Sequence, residues 1–298
     1  MDTDFTPLEP LSGAQTRSLR DTVERVCLAR GLACTPHGRD AYLIGDAICG
    51  LANLASRVAR VDEDDWYEEV HQWLANLDRI RQVRASEVTA ENIYPRLTRS
   101  VDTADPDVNY PVEGLIPGLS MIFAADYPTH VSELPAASLF AHLGDTLNVG
   151  RMAVNNLHRL PVPAADFVDL EIDGSNNPVI AFEFDDFFAP SRLLYAGTFA
   201  KEHLAPSEHG FLVAAPTRDV LLFLPVDGDN ILNQVNVFAS TVDNLYTGGP
   251  GATCELTYHL TPNGGIDFVA CVTNEGELYF RPNDYLSAKF FHLPEAGA

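Results

Sequence analysis

Residues 211–246 read FLVAAPTRDVLLFLPVDGDNILNQVNVFASTVDNLY, and no other stretch of the chain is as informative about its fold. Two apolar runs, at about 211–215 and 219–225, flank a short polar segment, which predicts two strands joined by a tight turn. From about Asp229 the period changes. Apolar residues recur at offsets of 4, 7, 11 and 14 from Ile231, which predicts a long amphipathic helix. Most of the stretch is thereby explained as core.

The N-terminal part also carries helix signals. Ser12 and Gln15 have the spacing of a capping box, which predicts a helix over about 13–30. The segment 48–61 fits either a strand followed by a short helix or one helix. Four carboxylates directly precede Trp66, where apolar residues begin to line one helix face. Because acidic residues complement the positive end of a helix dipole, we interpret this run as a helix start and not as a metal site.

The middle of the chain has a polar segment, then a predicted strand, then a predicted helix. Residues 82–112 are polar and carry three prolines without a sustained period, which is typical of a linker or an extended wrap. Leu119–Ala125 is an apolar run that predicts a buried strand. A helix with one apolar stripe is predicted to begin after Asp145. Two prolines mark its end.

An acidic hairpin is predicted next. Phe167–Asp173 and Val179–Asp185 both alternate between apolar and acidic residues, around a turn at 174–178. We expect the carboxylates to share the face away from the core. They are Asp169, Glu171, Asp173, Glu183 and Asp185.

Two interpretations of this acidic face stay open. Clustered carboxylates can hold Mg²⁺ or Ca²⁺, which prefer oxygen ligands, and two such ions can activate water for hydrolysis. A solvated strand face would have the same pattern.

The turn of the opening stretch leaves Arg218 and Asp219 without a packing role. The guanidinium can orient an anionic ligand. In the structural alternative, the pair forms a β-turn in which the Asp side chain holds the backbone.

Several of these segments resemble one bacterial family. The run Val213–Phe223, with its Pro-Thr-Arg-Asp core, is similar to a motif of the YtpQ-like proteins. Leu119–Asp126 and Ala153–Leu157 resemble that family's strand and its Ala-x-x-Asn-Leu helix, in the same order, so that the resemblance covers about 90–260. Residues 45–80 resemble a leader of related actinobacterial proteins.

The resemblance implies an α+β fold and a bacterial cytosolic origin, but no catalytic residue, because the family has no assigned activity. We expect mixed, mainly antiparallel sheets with packed helices. The expected division is a helical or α+β region over 1–85, a linker or wrap over 86–112, and an α+β YtpQ-like domain over 113–298.

The formal charge of −23 is unevenly distributed. Residues 1–100 hold 12 arginines and 16 Asp or Glu, a net of −4, whereas 101–298 hold 7 Lys or Arg and 26 Asp or Glu, a net of −19. Nucleic-acid and anionic-membrane binding depend on positive charge, so both are disfavoured. A basic partner protein would be attracted.

The remaining signals concern location and chemistry. The start of the chain lacks the basic and apolar run of a secretory signal, and the five cysteines form no Cys-x-x-Cys pair, which predicts a cytoplasmic protein with reduced thiols. Nucleophile-elbow, His-Glu-x-x-His and phosphate-loop motifs are missing from the sequence.

The leading hypothesis is a non-catalytic module that binds another protein and carries no cofactor. The alternative is a divalent-metal-dependent hydrolase that uses the 169–185 hairpin. The sequence indicates neither the partner nor the oligomeric state.

Overall fold

The computed structural model describes residues 8, 10–37, 41–45, 47–82, 88–99, 112–127, 130–134, 143–170, 178–249, 251–273 and 275–291. The helices are α1 (Gly13–Ala29), α2 (Ala52–Val58), α3 (Trp66–Gln82), α4 (Thr146–Arg159), α5 (Ala196–His203) and α6 (Ile231–Gly248). Short 3₁₀ turns span Glu63–Asp65, Pro190–Tyr195 and Gly228–Asn230, and a C-terminal helical segment runs over Asp284–Leu286 and Ser287–Phe291.

The strands belong to three sheets. They are β1 (Cys34–His37), β2 (Ala41–Ile44), β3 (Ala47–Gly50), β4 (Ile93–Arg99), β5 (Val112–Ile116), β6 (Leu119–Tyr127), β7 (His130–Leu134), β8 (Asp166–Val168), β9 (Val179–Glu183), β10 (Phe211–Ala214), β11 (Val220–Pro225), β12 (Thr257–Leu260), β13 (Ile266–Val272) and β14 (Leu278–Phe280). The chain divides into two compact units, one of residues 1–87, 128–130 and 247–251, the other of the remainder.

The first unit contains a three-stranded antiparallel sheet, β1-β2-β3, and the helices α1 to α3. The predicted capping box of α1 is present, because Ser12 and Gln15 each bond the other's backbone amide. Trp66 is fully buried and donates its indole N–H to the Val58 carbonyl at 2.9 Å. This bond ties the start of α3 to the end of α2.

Two sequence predictions for this unit concern the segment 48–61 and the carboxylates before Trp66. The ambiguous segment 48–61 is a strand followed by a short helix, β3 and α2, and not one helix. The carboxylates before Trp66 form a 3₁₀ turn, and α3 begins directly after it. This position is the one expected for acidic residues at a helix start.

The second unit begins with a four-stranded sheet of order β4-β6-β5, in which β7 also pairs with β6. The predicted strand at Leu119 is confirmed as β6, whose first seven residues are all buried. The strand β4 lies within the segment 86–112, for which a linker or wrap was expected. Helix α4 packs on β4, and its Asn156 side chain donates to the carbonyls of Ala90 at 2.7 Å and Ile93 at 2.9 Å. The Asn of the Ala-x-x-Asn-Leu motif therefore fixes a helix to a strand.

The second sheet of this unit has seven strands in the order β14-β13-β12-β10-β11-β9-β8, and every described pair is antiparallel. One face packs against α6. The buried contacts on that face include Leu212, Leu222 and Val269 from the strands and Val235, Phe238 and Val242 from the helix. We call this the α6 face.

The opposite face of the seven-stranded sheet is covered by shorter pieces. Its core joins Phe182, Phe223 and Tyr258 of the sheet to Phe199 of α5, to Leu193 of the 3₁₀ turn, and to apolar residues of α4 and of the four-stranded sheet. We call this the composite face. The expected α+β fold, with helices packed on antiparallel sheets, is confirmed.

Within the described residues, the first strand of the predicted acidic hairpin is paired only over Asp166–Val168. The first strand was expected over 167–173, but β8 ends at Val168, and residues 171–177 lie outside the described ranges. In the register of β8 with β9, Val168 pairs with Val179, so the next pair would bring Asp169 opposite Pro178. Proline has no amide hydrogen to donate, so the Asp169–Pro178 position would lack one of the possible ladder hydrogen bonds.

Candidate functional site

The β8 edge is the candidate functional site. We define it as the strand Asp166–Val168 with the following Asp169. All four residues are exposed, and β8 is the last strand of the seven-stranded sheet. Phe167 is 67% exposed and Val168 is 45% exposed, so two adjacent apolar side chains of this strand face solvent.

The register decides which carboxylates of the hairpin lie together. By extension of the register, Asp169 lies opposite Pro178, next to the first residue of β9. Glu183 is the last residue of β9 and pairs with Val220 of β11. Five residues of extended chain separate positions 178 and 183, or about 16 Å. Two carboxylates that bind one cation directly lie within about 5 Å of each other. Asp169 and Glu183 are therefore not placed to share an ion.

The described residues give no support for a metal site in the acidic hairpin. Glu183 and Asp185 are both exposed, and Glu171 and Asp173 lie outside the described residues. Within the described ranges, no three His, Cys, Asp or Glu side chains are grouped so that they could hold a metal ion. Binding of Mg²⁺ or Ca²⁺ by the hairpin stays a prediction.

The Arg218–Asp219 pair holds a neighbouring loop. The Asp219 carbonyl accepts from the Phe184 amide at 2.8 Å, and the Arg218 carbonyl accepts from the Ala189 amide at 3.2 Å. The Arg218 guanidinium lies over the Phe187 ring, 4.4 Å from its centroid. These contacts favour the structural interpretation, although the expected side-chain contact differs. Within the described part of the chain, the donor to the Asp219 side chain is the Thr217 hydroxyl, at 2.6 Å, where a backbone amide was expected.

The loop held in this way contains a buried ion pair that sequence reasoning missed. Arg192 is fully buried and donates twice to Asp186, at 3.0 and 2.8 Å. Its guanidinium stacks 3.7 Å from the centroid of Phe184, and Asp186 also accepts from the Phe188 amide at 2.8 Å. The signal in the sequence was an arginine, Arg192, six residues after Asp186, the second residue of an Asp-Asp-Phe-Phe run.

The arrangement most like a catalytic relay involves His259, Asn283 and Asp267. The amide nitrogen of Asn283 donates to Nδ1 of His259 at 3.0 Å and to Asp267 at 2.9 Å, while Nε2 of His259 donates to the His209 carbonyl at 2.9 Å. Burial lowers the pKa of His259 below its ordinary value, against smaller opposing effects of the His209 carbonyl, Asn283 and Asp267. Both ring nitrogens are used within the protein, so the group anchors the C-terminal segment to the sheet.

The five cysteines are all free thiols, three of them buried and two partly buried, as expected for reduced cysteines. Burial raises the pKa of Cys34 to about 12, with a smaller contribution from the neighbouring Cys27. A thiol with so high a pKa is a poor nucleophile, because the thiolate is the reactive form.

Comparisons with protein-family models, with curated proteins and with solved structures found no match for the chain. Of the helices that the structure describes, none combines the length and the apolar character needed to cross a membrane.

Proposed function

We propose that the protein is a non-catalytic module that binds a basic partner protein, and that the partner docks along the β8 edge. The single observation that carries this proposal is the exposure of Phe167 and Val168 on the last strand of the sheet. An edge strand presents backbone N–H and C=O groups to any other strand, and proteins normally protect such edges. Within the described residues, no strand pairs with the outer side of β8.

The charges around this edge select the kind of partner. Asp166 and Asp169 are exposed on either side of the two apolar residues, and the part of the chain from 101 to 298 has a net charge of −19. An extended segment with alternating apolar and basic residues would add backbone hydrogen bonds to β8. Its apolar side chains would cover Phe167 and Val168, and its basic side chains would meet the carboxylates.

The chemically versatile side chains elsewhere in the second unit support a binding role over a catalytic one. His259 and Arg192 are held by bonds within the protein, and the Tyr258 hydroxyl donates to the Pro117 carbonyl at 2.8 Å. Each of these contacts joins two structural elements. By contrast, the exposed side chains of the β8 edge make little contribution to the core.

The proposal is tested by quantitative capture from native lysate at low and high salt. Wild-type protein is compared with Phe167→Lys and with Tyr279→Lys, a matched control. Tyr279 is 45% exposed on β14, the opposite edge strand of the same sheet. We expect a partner that is released by high salt, is lost with Phe167→Lys and is retained with Tyr279→Lys.

The position of the partner is then mapped with a photoreactive amino acid introduced at Val168. A cross-link between that position and the salt-sensitive partner is expected. The proposal is wrong if no salt-sensitive protein is captured, or if both lysine variants lose it equally.

A further inference from the structure

The second unit contains a cavity that is separate from the β8 edge. A cavity of about 590 Å³ opens between the four-stranded sheet, α4, α5 and the turn between β12 and β13. Small-molecule sites in proteins typically have volumes of about 300–1,000 Å³. The cavity is therefore large enough for a small organic molecule.

The inner wall of the cavity is apolar and buried. Ile116, Met121 and Leu193 line it, and each is at least 94% buried. Val154 of α4 and Ile266 of β13 add further aliphatic surface. A ligand that fits this wall has an aliphatic or aromatic body.

A glycine keeps the cavity wide. Gly150 lies in the middle of α4, where glycine destabilises a helix relative to alanine. A Cβ atom at this position would meet nothing within 4 Å, so close packing does not require the glycine. It lines the cavity, and any larger side chain there would project into open space.

The mouth of the cavity is polar and positively charged. Thr198 and Lys201 are neighbours on one face of α5, and Asn263 lies across from them in the β12–β13 turn. All three side chains are exposed. Gly197 approaches Gly264 so closely that a Cβ on Gly197 would lie 2.9 Å from the Gly264 Cα, and this contact fixes the spacing of the two walls.

Lys201 is unusual in this chain. It is one of only two lysines, and it borders both the large cavity and a neighbouring one of about 250 Å³. Within the described ranges, its ammonium group forms no hydrogen bond or ion pair.

We propose that this cavity binds a small apolar carboxylate, with its body against Ile116, Met121 and Val154 and its carboxylate at Lys201. Thr198 and Asn263 supply uncharged hydrogen-bond donors beside the ammonium group. A charged hydrogen bond to a carboxylate is stronger than a neutral one, so the head group is selected over an alcohol or an ammonium ion.

Calorimetric titration with octanoate tests the proposal, and octyltrimethylammonium is the probe of opposite charge. Octanoate is expected to bind saturably at one site, and octyltrimethylammonium at least about tenfold more weakly. Lys201→Gln is expected to weaken octanoate binding by about threefold to fivefold, because the ion pair forms at an exposed position. Lys289→Gln removes the other lysine, which lies outside the cavity, and serves as the matched control.

A cavity-filling variant gives an independent check. Gly150→Leu is expected to abolish octanoate binding, because the new side chain occupies the apolar end of the cavity. The proposal is overturned if wild-type protein does not bind octanoate saturably, or if Lys201→Gln binds it as tightly as wild type does. It is equally overturned if Lys289→Gln weakens binding as much as Lys201→Gln. Lys201 is exposed, so its variant stays informative even if Gly150→Leu does not fold.

Discussion

The two faces of the seven-stranded sheet are closed in different ways. The α6 face is covered mainly by one continuous helix of 18 residues, whose stripe is buried from Ile231 to Val242, and Leu286 of the C-terminal segment packs into the same core. The composite face is covered by α4, α5, a 3₁₀ turn and a second sheet, and these shorter pieces leave a cavity of about 590 Å³ between them. One long regular helix with a short segment beside it closes the first face, whereas several shorter elements leave space on the second face that can be used for binding.

The largest effect is expected on the α6 face. Phe238→Ala should lower the free energy of unfolding by about 4 kcal/mol, because the ring is fully buried against the sheet and its removal leaves a cavity. Chemical denaturation measures this. Leu232→Ala on the same helix is the control, since Leu232 is 56% exposed and should change stability little. A similar loss in both variants would contradict the closed packing of this face.

Removal of the buried ion pair of the composite face, Arg192 with Asp186, should lower the free energy of unfolding. Arg192→Leu should cost about 3 kcal/mol, because Asp186 loses both of its guanidinium contacts in a largely buried loop. Arg159→Leu removes an exposed arginine of α4 and is the control in the same denaturation experiment. An equal, small effect of the two substitutions would show that the pair does not hold this loop.

The hydrogen-bonded group of His259, Asn283 and Asp267 should make the free energy of unfolding depend on pH. His259 has a folded-state pKa below the ordinary value of 6.5, so the unfolded chain binds a proton more readily than the folded protein. Stability should be greatest above pH 6.5 and should fall as the pH decreases from there towards the lowered pKa. The slope has an upper limit of about 1.4 kcal/mol per pH unit.

The contribution of His259 is isolated by comparison with His259→Gln over the same pH range. The difference in unfolding free energy between the two proteins should shrink as the pH falls, because Gln does not titrate. Asp267 and His209 also face this ring, so the wild-type curve alone does not identify the group. A difference that stays constant between pH 8 and pH 5 would contradict the assignment.

A small stabilisation is expected at the cavity. Gly150→Ala should raise the free energy of unfolding by up to about 1 kcal/mol, because alanine favours the helix and its methyl group meets no neighbour. Gly197→Ala provides the contrast. There the Cβ would lie 2.9 Å from the Gly264 Cα, so the same substitution should destabilise the protein. Thermal melting of the two variants in opposite directions would confirm that Gly150 is kept for space and Gly197 for contact.

The smallest effect on stability is expected at the β8 edge. Phe167→Lys should change the free energy of unfolding by less than about 0.5 kcal/mol, because the ring is 67% exposed. The same substitution should nevertheless remove the partner. A large destabilisation in chemical denaturation would mean that Phe167 belongs to the core and is not a docking residue.

The sequence predicted the α6 face better than the composite face, and the reason is periodicity. The stripe from Ile231 marks α6 because one helix contacts one flat surface, and the strands at 211–225 follow from their continuous apolar runs. The composite face is built from elements between β4 and β13, far apart in sequence. No local pattern records which of them are neighbours, so the cavity could not be foreseen.

Particular residues illustrate the same limit. Lys201 stands out in the sequence as one of two lysines, but only the fold places it at the mouth of a cavity. The alternation of Phe167–Asp173 predicts a strand correctly at its start, yet it gives no sign that Pro178 ends the pairing. Alternation places Phe167 on the same side of the strand as Asp169, away from the core, and the ring is 67% exposed. Whether Arg218 and Asp219 bind a ligand stays a prediction, because their contacts explain them structurally without testing that role.

The central claim is that the α6 face is structural and the composite face binds a ligand. Amide NMR spectra recorded during an octanoate titration compare the two faces in one experiment. We expect octanoate to change the chemical shifts of the Gly150, Gly197 and Gly264 amides, which line the cavity. The amides of Ala239 and Val242 in α6 should keep their chemical shifts. Shifts centred on α6, or no shifts at saturating octanoate, would contradict it.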